Sequence, residues 1–115
     1  MLVYSITNPK SFTLIKEVKE FILRSKGREK VPMVLIGNKC DLENERMVTT
    51  TEGEQLARMW NIPFFETSAK LGINVDNAFI VLINELLQFA TVSPDILDFP
   101  FPDQTPRCYN RCLLL

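Results

Sequence analysis

The sequence predicts an α/β fold, doubly wound, with three parallel strands alternating with three helices. Short apolar runs at residues 1–6, 31–37 and 64–66 have strand length and lack a helical period. A segment of 3.6-residue amphipathic periodicity, bounded by cap and breaker residues, follows each run. The resulting order β-α-β-α-β-α demands parallel pairing through right-handed crossovers, with helices covering the sheet.

Residues 1–6 (MLVYSI) are nearly continuous in apolar side chains, as expected of a strand buried on both faces. Thr7-Asn8-Pro9 opens the first helix, because Asn8 is cap-competent and proline is preset for the first turn. Phe12, Ile15, Val18 and Ile22 form its apolar stripe, Lys16, Glu17, Lys19 and Glu20 its polar side, and Gly27 its end. The second strand, 31–37, tolerates Pro32 only because it stands at the start. A polar loop covers 38–47. Thr51 with Glu54 fits a capping box, with Thr50 an alternative cap, ahead of Leu56, Ala57, Met59 and Trp60; Pro63 closes that helix. Phe64-Phe65-Glu66 forms the third strand. A third amphipathic helix over 75–89 carries Phe79, Leu82, Ile83, Leu86 and Leu87.

Composition narrows the function. Thirteen basic against fourteen acidic residues leave a formal charge of −1, so no basic field exists to grip nucleic-acid phosphates. With no histidine, the chain lacks the usual general base near neutral pH and the commonest metal ligand. Cys40, Cys108 and Cys112 show neither metal-site spacing nor the even count of a disulfide framework. No run approaches the roughly 18 apolar residues of a membrane span, so membrane contact is expected only through lipidation.

The chemistry sits in two polar loops at strand C-termini, where open α/β sheets bind ligands. One reads Asn38-Lys39-Cys40-Asp41, the other Thr67-Ser68-Ala69-Lys70. Asn and Asp after a strand also form Asx-turns, and N-K-x-D arises by chance in roughly one chain in a hundred of this length, so the second loop in its place is what gives the pair its weight. A single carboxylate can accept two adjacent donors together. The ligand implied by the Ras-superfamily resemblance of these loops, set out below, is guanine, whose N1–H and exocyclic amine are such a pair. Asp41 is the candidate acceptor. Adenine offers an acceptor where guanine offers a donor, and the same carboxylate would reject it. Cys40, Trp60 and the Phe64-Phe65 pair read as packing residues.

The blocks VYSIT, VPMVLIGNKCDL and ETSAK, in this order over residues 1–90, resemble the Ras superfamily of small GTPases. LVYSIT, NKCDLE, LARMW and INV look nearest to its Ras and Rap branches. The fold this implies is part of a P-loop NTPase-type G domain, its C-terminal half. The resemblance assigns Asn38 to tying neighbouring loops together, Lys39 to the purine face, and the Ala69 backbone N–H to the guanine carbonyl. Ser68 would hold Asp41, and Lys70 would flank the base. GTP or GDP is the implied ligand of the complete protein, with exchange factors, GTPase-activating proteins and effectors as its partners.

No G-x-x-x-x-G-K-[ST] phosphate loop occurs in the chain. The segments that would place Mg²⁺, the attacking water and the γ-phosphate are missing too. Mg²⁺ is thus expected in the complete protein with its ligands outside these residues, no catalytic residue is assigned, and this chain alone should not hydrolyse GTP. Met1 opens a buried strand directly, which reads as truncation.

Residues 91–115 carry Pro94, Pro100, Pro102 and Pro106 and read as a flexible tail. The chain ends Cys112-Leu113-Leu114-Leu115, a C-a-a-X box whose leucine favours geranylgeranyl attachment at Cys112. One lipid anchors marginally, and the tail lacks a lysine cluster, so Cys108 is the candidate palmitoyl site; a spare cysteine is the alternative. The cytoplasmic face of the plasma membrane or endomembranes is the expected location, and the cytosol if the chain is not prenylated. A rival reading is a non-enzymatic, membrane-tethered interaction module derived from a GTPase.

Overall fold

A computed structural model of the chain describes residues 1–27 and 30–92. The order is β1 (Leu2–Ser5), α1 (Pro9–Lys26), β2 (Leu35–Asn38), a 3-10 turn (Glu43–Glu45), α2 (Thr50–Trp60), β3 (Phe64–Thr67) and α3 (Val75–Val92). All three strands are parallel, in the order β1-β2-β3. The α/β fold read from the sequence is the one observed.

The sheet is covered on both sides, because alternate residues of a strand point to opposite faces. Leu2, Tyr4 and Leu35 meet Ile15 of α1 and Leu56 and Ala57 of α2 on one face. Val34, Ile36 and Phe65 meet Ala78, Val81 and Leu82 of α3 on the other. The Phe64-Phe65 pair is thereby split between the two cores.

α1 begins where Asn8 accepts the N–H groups of Lys10 and Ser11 at 3.0 and 3.4 Å, with Pro9 next. It ends at Gly27, which caps it in the left-handed region (φ 58°) that glycine occupies without a Cβ clash. Lys19 lies over the Trp60 ring at 5.1 Å from its centroid and fastens α1 to α2.

Several boundaries and faces differ from expectation. The capping box of α2 uses Thr49 and Glu52 rather than Thr51 and Glu54. Thr49 Oγ1 accepts the Glu52 N–H at 3.2 Å, and the Glu52 carboxylate accepts the Thr49 N–H at 2.8 Å. The run TTTEGE offers the same spacing twice, and the first is selected because buried Val48 is pinned through its N–H to the Ile6 carbonyl at 2.9 Å. β2 starts at Leu35 rather than Val31, since its ladder partners begin only at Leu2 and Phe64. β1 is not buried on both faces: Val3 is 51% exposed, because α3 packs over β2 and β3. On α3, Leu82 faces the core while Phe79, Ile83, Leu86 and Leu87 are exposed, as is Met59 on α2. α3 runs to Val92, past the expected boundary at 90, and the remainder of the tail lies outside the described residues.

Candidate functional site

Register sets the site. Ser5, Asn38 and Thr67 are paired neighbours at the carboxyl ends of the three strands, so the loops following β2 and β3 leave the sheet side by side. Lys39 then adopts a left-handed backbone (φ 67°), a conformation costly for a side chain with a Cβ. That reversal brings the Cys40 N–H to the Thr67 carbonyl at 3.0 Å, and the Leu42 N–H returns to the Lys39 carbonyl at 2.9 Å.

The second loop is closed by a two-way bridge. The Ser68 N–H donates to the Ile73 carbonyl at 3.1 Å and the Ile73 N–H to the Ser68 carbonyl at 3.0 Å, with Gly72 (φ 71°) making the turn. Ala69 and Lys70 are left at the exposed rim.

Side chains bind the two loops to each other. Ser68, fully buried, donates its hydroxyl to Asp41 Oδ1 at 2.7 Å and accepts the Leu71 N–H at 3.1 Å. Asn38 Oδ1 accepts both the Thr67 hydroxyl and the Ala69 N–H, each at 3.1 Å. The Ala69 N–H is thus already engaged, and a ligand carbonyl would share or displace that bond. Among the described residues no second protein donor meets the Asp41 carboxylate, which leaves Oδ2 and spare lone pairs on Oδ1 for a ligand. Between the loops lies a cavity of about 330 Å³ lined by Asn38, Lys39, Asp41, Leu42, Ala69 and Lys70. Five of the six residues singled out from the sequence line this cavity, and the sixth, Ser68, lies buried behind it and reaches it through Asp41, whereas Cys108 and Cys112 lie outside the described residues.

Three contributors were not legible as such. Thr67 shares the Asn38 oxygen. Arg46 and Glu66 form a two-pronged ion pair: Nη1 donates to Oε1 at 2.7 Å and Nη2 to Oε2 at 2.9 Å. Arg46 also donates through Nη1 to the Val48 carbonyl at 3.0 Å and through Nε to Glu43. The guanidinium holds the Glu66 carboxyl below its usual range, with the Thr50 hydroxyl adding to the effect and partial burial opposing it. Burial, then the carboxylates of Glu66 and Asp41, push the Cys40 thiol up, away from thiolate reactivity at neutral pH.

Magnesium takes an octahedral shell of oxygens, usually from carboxylates, water and phosphate. Among the described residues no group of three or more acidic or cysteine side chains converges to hold a metal. Nor is any described helix long and apolar enough to cross a membrane.

An open parallel α/β sheet with a polar crevice at its carboxyl edge defines a class of ligand-binding fold. Comparison with protein families narrows it: residues 1–88 match the Ras family, and the chain belongs to that family. It is 40% identical to a Ras-like protein of Laccaria bicolor over 126 aligned positions, covering 100% of this chain and 60% of that protein. It is 50% identical over 86 residues to Ras-like protein rasB of Dictyostelium discoideum, covering 75% of this chain and 44% of that relative. The chain therefore spans about half the length of these curated relatives.

Proposed function

We propose that the chain is the C-terminal half of a Ras-type small GTPase, nearest the Ras and Rap branches, and that it forms the base-reading part of a GTP/GDP site. The observation that carries this is the Ser68–Asp41 bond across the crevice, which holds a carboxylate toward the cavity with one oxygen unclaimed. A carboxylate so held accepts guanine N1–H and the exocyclic amine together and leaves adenine unsatisfied. Lys39 lays its stem along the base, Lys70 flanks it, and the Ala69 N–H meets the guanine carbonyl. The complete protein is then a signalling switch with Mg²⁺, exchange factors, GTPase-activating proteins and effectors, while this chain holds no catalytic residue.

The test is an NMR titration of the whole chain with GMP and AMP. GMP is expected to shift the Asp41 and Ala69 amides with affinity weaker than micromolar, because the contacts to phosphate that would strengthen it are not made here. Equal shifts from AMP, or micromolar binding, would overturn the reading.

Membrane attachment is the second part of the proposal, and it rests on the sequence at Cys112, with Cys108 as a second acylated position. The whole protein then works at the cytoplasmic face of the plasma membrane or endomembranes. Cys112→Ser should abolish prenyl labelling and move the protein to the soluble fraction, and Cys108→Ser should reduce membrane retention in part. Labelling that persists in Cys112→Ser would refute that site. Unchanged retention in Cys108→Ser would remove the second lipid.

A further inference from the structure

We infer that Arg46 is a positioning residue for the base site, clamping the loop that carries Asp41 to the strand that delivers Ser68 and Ala69. The inference rests on the base-reading assignment only for its effect on ligand, since the clamp itself is a matter of geometry.

Arg46 and Asp41 lie on one segment of overlapping turns, residues 39–46. The Leu42 N–H reaches Lys39 O, the Glu45 N–H reaches Leu42 O at 2.9 Å, and the Arg46 N–H reaches Glu43 O at 3.2 Å. Arg46 thus stands at one end of the short turn-rich segment that carries Asp41. At the other end of the clamp, Glu66 immediately precedes Thr67 and Ser68 on β3. Its backbone carbonyl is also tied, accepting Asn74 Nδ2 at 3.0 Å, so the carboxylate stands on a fixed strand.

Exposure separates the two acidic partners of Arg46. The Arg46 and Glu66 side chains are 14% and 19% exposed, while Glu43 is 68% exposed. The Glu43 contact is screened by water and contributes little, whereas the shielded, two-pronged Glu66 contact fixes both distance and angle. The Thr50 hydroxyl donates to the same Glu66 oxygen at 3.0 Å, which leaves that carboxylate little freedom to follow a moving loop. Two of the direct bonds between the loops, from Ser68 to Asp41 and from Ala69 to Asn38, involve groups that a ligand would contend for, while the Cys40 N–H to the Thr67 carbonyl and the Thr67 hydroxyl to Asn38 also join them. The Arg46–Glu66 pair lies apart from the cavity lining and holds the loops in register whatever those groups do.

Removing one partner alone would strand a charge and destabilise the fold broadly, so the variant that decides is Arg46→Met with Glu66→Gln in the whole chain. Amide hydrogen exchange reads the clamp without any ligand. The Cys40 N–H, which crosses between the loops, and the Ser68 N–H should exchange about tenfold faster or more, while the core amides of Leu2 and Leu35 keep their protection. GMP should bind about tenfold more weakly, with AMP as the control. Unchanged exchange at Cys40 and Ser68 would overturn the inference, and so would equal acceleration at Leu2 and Leu35, which would mark a general stability role. If the wild-type chain shows no GMP-specific shifts, the base reading fails while the exchange comparison still decides the clamp.

Discussion

Asp41→Asn should reverse the base preference of the chain from guanine to xanthine. In the wild-type site the carboxylate is held by Ser68 at 2.7 Å and presents acceptors only. Guanine's two adjacent donors match it, and each charge-assisted bond contributes about 1.5–3 kcal/mol. An asparagine keeps one oxygen for N1–H but sets an NH₂ against the exocyclic amine, donor against donor. The loss of guanine affinity should therefore reach about a hundredfold, enough to carry an already weak GMP titration out of range. Xanthine carries a carbonyl where guanine has its amine, and the asparagine NH₂ meets it. Parallel NMR titrations with GMP and XMP check this: wild type should favour GMP and Asp41→Asn should favour XMP. A variant that still prefers GMP would show that Asp41 does not read the base edge.

The two loops of the candidate site are legible in the sequence because their chemistry is local. Asn38 to Asp41 and Thr67 to Lys70 each follow a strand, and parallel pairing puts strand ends on one edge whatever the exact register. Arg46 and Glu66 are not legible, since one lies in a polar loop and the other ends an apolar run, and only the folded chain brings them within 2.7 Å. The capping box escapes for another reason: two threonine–glutamate pairs of equal spacing compete, and a tertiary bond from Val48 to Ile6 chooses between them. Burial of β1 is overestimated because an apolar run states what a strand can bury and not how far the covering helix extends. On α3 the apolar residues outnumber those one face can hold, so periodicity does not say that Ala78 rather than Phe79 meets the sheet.

Gly53→Val should strongly destabilise the fold, although by helix propensity glycine is about 1 kcal/mol worse than alanine at a helix interior. The reason is Tyr4, whose 2%-exposed ring stacks edge-on against Phe12 at 4.8 Å and whose hydroxyl reaches between β2 and α2. A Cβ at Gly53 would lie 2.5 Å from that hydroxyl oxygen and 2.5 Å from Cζ of Phe64, and one at Gly37 would lie 2.9 Å from the same hydroxyl. Both rings pack in the core cluster, so neither swings aside freely. Overpacking of this kind costs about 1–3 kcal/mol, which already outweighs the propensity gain for Gly53→Ala, and a branched side chain lies at or beyond the upper end. Among the described residues the Tyr4 hydroxyl, itself buried, has no hydrogen-bond partner, and burial, with the Glu66 charge adding to it, pushes its phenol up to about 12. Tyr4→Phe removes that unsatisfied group and one of the two close contacts, and should raise stability by about 1 kcal/mol. In the Tyr4→Phe background Gly53→Ala should also cost less than in the wild type, because the two sites share a contact and their effects do not add. Urea unfolding of the four proteins of this cycle, together with Gly53→Val, measures each effect. A Tyr4→Phe variant less stable than wild type would mean that the hydroxyl has a partner, and a tolerated Gly53→Val would mean that the two rings yield.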